Sequence, residues 1–192
     1  MRLFVAVDLS EDARAAIAAE QARIAAALGA KASVKWVDPA AAHLTLVFLG
    51  SVDAVRAAPL VEAIGVDVDL APFDMVLEGA GAFPPRGAPR VLWIGTTAGA
   101  AALIALQRRL SSRIAGLGVA LEARPFQPHL TIGRWRESHP ADRDRALGAA
   151  RPGAIARMHV DHATLYDSRL SPSGPSYTPL TRANLTLTTA DR

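Results

Sequence analysis

His43-Leu44-Thr45-Leu46-Val47-Phe48-Leu49-Gly50 and Pro128-His129-Leu130-Thr131-Ile132-Gly133-Arg134 read as two versions of one short strand. Each is apolar and rich in β-formers, each follows a proline turn, and each is bounded by turn signals. Strand side chains alternate faces, so His43 and Thr45 share one face while Leu44 and Leu46 occupy the other. His129 and Thr131 repeat the arrangement against Leu130 and Ile132. Each copy therefore carries a buriable apolar side and presents one imidazole and one hydroxyl on the opposite side.

Around both copies the chain keeps the same order of helix, turn, strand, helix and two strands. In the first half, a strand over 2–8 leads to a helix capped by Ser10, with Glu11 and Asp12 in its first turn. Ile17, Ile24 and Leu28 fall on one helical face and Gly29 supplies the stop. A short strand Val34–Val37 and a turn at Pro39 precede the first motif. A helix over 53–64, disturbed by Pro59, and strands over 69–78 and 90–97 follow it, the strands separated by the Pro/Gly loop 83–89. In the second half, Leu103, Leu106, Leu110, Ile114 and Leu117 form a helical stripe ended by Gly116 and Gly118. A polar helix over 140–149 and strands over 155–166 and 177–187 complete the chain. Two copies are too few for a solenoid, and two lobes about a pseudo-two-fold axis fit better. Such lobes can turn both polar faces toward one groove.

The chain has 192 residues, one ordinary domain or two small lobes sharing a core, and at 51% hydrophobic and 20% charged it can bury that core. Zero cysteines exclude a disulfide framework, a thiolate nucleophile and Cys-ligated metal sites. The first residues carry too short an apolar run for a signal peptide, and no stretch of about 20 apolar residues is present to span a bilayer. These features predict a cytoplasmic protein with no membrane partner. The net charge of +3 is unevenly spread: five acids and no base lie between Ala57 and Glu78, and five arginines and no acid between Gly79 and Leu121. Arginine suits phosphate contact, yet a solvated helix face explains such a run more simply.

Two imidazoles and two hydroxyls around one substrate atom form a kit for phosphoryl hydrolysis without a metal. Near neutral pH one imidazole can be neutral and take a proton from water while the other, protonated, serves the leaving oxygen. A threonine hydroxyl beside each can hydrogen-bond a phosphate oxygen. Arg134 ends the second motif, but it differs from His129 by an odd number of positions. It reaches the same side only if the strand ends or bulges at Gly133. Trp36, Phe126 and Tyr177 are aromatic but read as core, and Arg90 either contacts substrate or bridges the lobes. His159 and His162 have a spacing that suggests a metal, yet on a strand they point to opposite faces and read as structural. His139 reads as a surface or cap residue.

With these motifs the sequence resembles the two-histidine phosphoesterase superfamily, defined by two His-x-Thr-x motifs in a bilobal fold. Within it the chain is most similar to the RNA 2′,3′-cyclic phosphodiesterase group, historically the 2′-5′ RNA ligases. Further matching pieces are Arg2–Val7, Trp36-Val37, Gly81–Pro84, Pro89–Trp93, Phe126–Arg134 and Leu165–Tyr177. The resemblance implies a single α+β domain over 1–192, bilobal, with an antiparallel sheet and helices in each lobe and the active-site groove between them. It implies opening of a terminal RNA 2′,3′-cyclic phosphate to a 2′-phosphate. His129 is then the proton acceptor, His43 the proton donor, and Thr45, Thr131 and Arg134 bind the phosphate. No cofactor and no metal are implied. The implied partner is RNA with a 2′,3′-cyclic phosphate end, tRNA fragments among them, and the implied state is a monomer. The same groups serve the reverse 2′-5′ ligation. A non-catalytic RNA-end binding module and a sister phosphoesterase acting on a small cyclic nucleotide are the alternatives.

Overall fold

The computed structural model describes residues 1–30, 32–171 and 174–187, with Leu170 described in its backbone only. Its elements in chain order are β1 (Arg2–Asp8), α1 (Glu11–Leu28), β2 (Val34–Trp36), β3 (His43–Ser51), α2 (Ala54–Gly65), β4 (Val68–Asp69), β5 (Phe73–Phe83) and β6 (Val91–Thr96). There follow α3 (Ala100–Gly116), β7 (His129–Trp135), α4 (Pro140–Ala149), β8 (Ala154–Val160), β9 (His162–Ser171) and β10 (Gly174–Thr186). A single 3-10 turn, Pro39–Ala41, sits just ahead of β3.

Local chemistry explains the helices. The Ser10 hydroxyl accepts from the Ala13 N–H at 3.2 Å, and Gly29, at φ +76°, ends α1 in a conformation that favours glycine. Asp53 caps α2 through the Arg56 N–H at 2.9 Å. That helix continues through Pro59, losing one backbone bond, because Leu60 and Ile64 are fully buried beneath it. Leu103, Leu106, Leu110 and Ile114 bury the α3 stripe, whereas Leu117 lies past the helix end and is 39% exposed. His139 caps α4, its backbone N–H donating to Asp142 Oδ2 at 2.7 Å.

The strands form two five-stranded sheets, β3-β1-β9-β10-β4 and β2-β7-β6-β5-β8. The fold is α+β and bilobal, but the lobes are not the two halves of the chain. The first sheet takes β1, β3 and β4 plus β9 and β10, and the second takes β2, β5 and β6 plus β7 and β8. The unit repeated in space is strand, helix, His-x-Thr strand, helix: β1-α1-β3-α2 and β6-α3-β7-α4. Two stretches read as single strands are each divided. Val68–Asp69 pairs in parallel with β10, the exception to the expected antiparallel pairing, while Phe73–Phe83 joins the other sheet. Likewise the chain passes from β8 in one sheet to β9 in the other at Asp161, so His159 and His162 belong to different sheets.

The arginine run has an internal partner. Arg109 donates to the Asp69 carbonyl and approaches its carboxylate at 3.8 Å; Arg113 donates to the Val66 carbonyl and, at 2.6 Å, to that of Asp67. The basic face of α3 thus covers the acidic segment between α2 and β4.

Candidate active site

β3 and β7, the two His-x-Thr strands, are also where the sheets approach each other most extensively. Both have the same burial sequence: His43, Thr45 and Gly50 are half-buried on β3, while Leu44, Leu46 and Val47 are buried and Phe48 is exposed. On β7, His129 and Thr131 are half-buried, Leu130, Ile132 and Gly133 buried, and Arg134 exposed. Two consecutive buried residues in each strand mark a slip in the alternation. The ladders locate it: Ala6 faces Thr45 and Val5 faces Val47, leaving Leu46 extra. In the other sheet Trp93 faces Thr131 and Leu92 faces Gly133, leaving Ile132 extra. A bulge of this kind reverses the parity of everything after it, so Arg134 joins His129 and Thr131 on one face. The bulged residue is Ile132, not Gly133. Glycine at 133 serves packing instead, since a Cβ there would stand 3.0 Å from Val34 Cγ1 and 3.3 Å from the Trp36 ring.

The bulge is held from behind by a residue the sequence reading passed over. Gln21, buried on α1, donates its amide to the carbonyls of Val37 at 2.7 Å and Ile132 at 2.8 Å. It lies in line with Ile17, Ile24 and Leu28, and polar residues at 20 and 21 within that apolar stripe were the available signal.

Each imidazole is oriented in the same way. His43 Nδ1 lies 2.9 Å from the Ala41 carbonyl and His129 Nδ1 lies 2.8 Å from the Gln127 carbonyl. A carbonyl only accepts, so both Nδ1 atoms carry the proton and both Nε2 atoms are left for chemistry. The surroundings differ. His43 stacks on Phe4 with ring centroids 4.6 Å apart and meets the edge of Tyr177 at 5.1 Å. His129 is more open, with Phe83 at 5.2 Å and Trp93 at 6.1 Å. Burial pulls the His43 pKa below the ordinary histidine value, opposed by the Ala41 hydrogen bond and the Asp8 charge. Asp8 stands directly opposite His43 in the β1–β3 ladder. Its carboxylate accepts from Tyr166 at 2.6 Å and Thr164 at 2.8 Å. Burial, then Asp8, pushes the Tyr166 phenol up to about 12.

A groove of about 920 Å³ opens beside these strands, lined by Phe4, His43, Thr45, Phe48, Arg134 and Tyr177 among others. His129 and Thr131 are not among its lining residues; they share a face of β7 with Arg134, which is. Trp36 lines the groove, whereas Phe126 packs against the core. Arg90 is exposed, its backbone bonded to Phe83 and Trp135. Sequence reasoning missed Phe4 and Phe48; the latter, 45% exposed, has the Arg2 guanidinium 5.2 Å over its ring. His159 pairs with Asp74 at 2.8 Å, and His162 with Asp161. Among the described residues no group of three or more His, Asp or Glu side chains converges as a metal site would need.

The sequence model of the 2′-5′ RNA ligase superfamily matches residues 9–171. The chain belongs to that superfamily. It is 35% identical to the RNA 2′,3′-cyclic phosphodiesterase of Archaeoglobus fulgidus over 182 residues, 94% of this chain and 98% of that protein. The enzyme of the same name from Geobacillus stearothermophilus is 35% identical over 175 residues, 91% of this chain and 54% of the longer relative. Among solved structures, Escherichia coli LigT complexed with 3′-AMP is similar at 30% identity and a TM-score of 0.76, covering 96% of this chain and 98% of that one. In this member of the superfamily the paired bulges have a clear consequence. They place an exposed side chain three residues after each threonine on the polar face, Phe48 on one strand and Arg134 on the other.

Proposed function

We propose that this chain is an RNA 2′,3′-cyclic phosphodiesterase, opening a terminal cyclic phosphate to a 2′-phosphate by acid–base catalysis without a metal. The observation that carries the reading is the matched pair of imidazoles, each fixed through Nδ1 with Nε2 free. His129 Nε2, the more open of the two, takes a proton from water as the water oxygen bonds to phosphorus. The bond from phosphorus to O3′ breaks, and His43 Nε2–H delivers its proton to O3′. Thr45, Thr131 and Arg134 hold the non-bridging oxygens, whose negative charge grows in the transition state. The enclosed position of His43 suits the acid, because a bound phosphate anion beside a desolvated imidazole favours its protonated form. A 5′-hydroxyl in place of water gives a 2′-5′ linkage by the same route, although the abundance of water favours hydrolysis. The setting is the cytoplasm, with the chain working as a monomer on RNA ends such as those of tRNA fragments. Among the described residues no helix is long and apolar enough to cross a membrane.

The test is a short RNA with a 2′,3′-cyclic phosphate incubated with the protein and EDTA. Conversion to a 2′-phosphate, lost in His43→Ala and His129→Ala, supports the reading. A 3′-phosphate product would reverse the assignment of the leaving oxygen. RNA binding without turnover would make the chain an end-binding module, and turnover of small cyclic nucleotides alone would make it a sister phosphoesterase.

A further inference from the structure

The groove contains more positive charge than one reacting phosphate requires. Arg134 on β7 faces Lys35 directly across the β2–β7 ladder. Arg136, two positions on, continues the same face, its N–H bonded to the Ser33 carbonyl at 2.8 Å. All three side chains are exposed, and all three line the groove together with Arg2. Like charges directly opposite in an antiparallel pair are destabilising, and such pairs are ordinarily relieved by a carboxylate. Among the described residues, none of the three has an ion-pair partner within 4 Å, although six arginines elsewhere do. Among the described residues the one acid lining the groove, Asp38, accepts the Ala40 N–H at 2.9 Å as the cap of the 3-10 turn. A repulsive, uncompensated cluster at the edge of a catalytic groove is the arrangement expected where an anion completes the site.

We propose that Lys35 and Arg136 form a second phosphate subsite that holds the phosphodiester immediately upstream of the cyclic end. The substrate class is then an RNA strand of at least two nucleotides rather than a cyclic mononucleotide. The inference rests on the cyclic-phosphate reading above, with Arg134 serving the reacting phosphate. Lys35 stands one strand across from it, and Arg136 lies two residues further along its own chain, about 7 Å at roughly 3.4 Å each. Together they extend the positive face beyond Arg134, toward the neighbouring phosphate. Lysine offers a compact point charge and arginine a planar fork, so together they can clamp a phosphodiester without reading its base.

The experiment compares kcat/KM for a 2′,3′-cyclic mononucleotide, for the dinucleotide ending in the same group, and for that dinucleotide with a neutral methylphosphonate bridge. The wild type should favour the ordinary dinucleotide over both others by roughly 3- to 30-fold, mainly in KM. Its logarithmic salt dependence should also be steeper by about 0.7 for the added phosphate. Lys35→Ala and Arg136→Ala together should abolish the preference and the extra slope while leaving mononucleotide turnover within about twofold. Equal rates on the charged and neutral bridges overturn the subsite, as does a variant that loses both substrates alike. Absence of turnover on every cyclic substrate overturns the underlying function and the subsite with it. Hydrolysis without a charge preference overturns the subsite alone.

Discussion

Replacing Gly81 by alanine should disturb the site through one aromatic ring. Gly81 lies opposite Trp93 in the β5–β6 ladder, and the indole covers it. A Cβ at position 81 would stand 2.1, 2.3 and 2.5 Å from three atoms of that ring. Carbon atoms settle at roughly 3.5–4.0 Å, so the indole must lift by about 1.5 Å. Overpacking of this kind costs about 1–3 kcal/mol, which for a chain of this size lowers Tm by roughly 2–12 °C. The ring that moves lies 5.2 Å from Phe83 and 6.1 Å from His129. Misplacing a catalytic group by about 1 Å can cost on the order of 100-fold in rate, so kcat/KM on a cyclic-phosphate RNA should fall by roughly 10- to 100-fold. Thermal and urea unfolding measure the first effect and steady-state hydrolysis the second. The decisive comparison repeats Gly81→Ala in a Trp93→Ala background, where the added methyl has space and the stability cost should nearly vanish. An equal cost in both backgrounds would refute the reasoning, because the clash would then not be with Trp93.

His43→Ala and His129→Ala should each lower kcat by roughly 10²- to 10⁴-fold with unchanged circular dichroism, and EDTA should leave wild-type turnover intact. Burial lowers the His43 pKa and the acid must be protonated, so kcat/KM should decline as pH rises through that lowered value. Asp8→Asn removes a charge that opposes the shift, so the declining limb should move to lower pH, as a pH–rate profile of the two proteins would reveal. The same shift makes folded His43 bind its proton less tightly than the unfolded chain does. Its contribution to stability is full above the unfolded value and is lost as pH falls through the folded one, which urea unfolding across that window would register. Gln21→Leu strips the bond to the Val37 carbonyl and one of the two to Ile132. It should cost roughly 1–3 kcal/mol and raise KM through a displaced Arg134; stability loss with an unchanged KM would separate Gln21 from the bulge.

The sequence by itself determined what depends on neighbours along the chain. The alternation in His43–Leu46 and His129–Ile132 fixed which residues share a face, and a burial pattern with half-exposed polar positions and buried apolar ones followed. The Ser10 cap, the Gly29 stop and the α3 stripe were equally legible, since each is set within a few turns of helix. The recurrence of the His-x-Thr strand was readable because recurrence is a property of the sequence. Tertiary structure alone decided where strands pair. No local pattern says that β5 and β6 join β7 rather than β1, or that the stretch 155–166 divides between two sheets at Asp161. It alone decided the direction of Arg134. Parity along the strand argued against it, and only the unequal pairing of β7 with β6, pinned by Gln21 from a helix more than a hundred residues earlier, turned the side chain into the groove. The same holds for the arginines of α3, whose partners are carbonyls distant in sequence, and for Asp8, which tunes His43 from the next strand. Periodicity is encoded residue by residue; register, bulges and charge partners arise only when distant segments meet and their hydrogen bonds must be satisfied together.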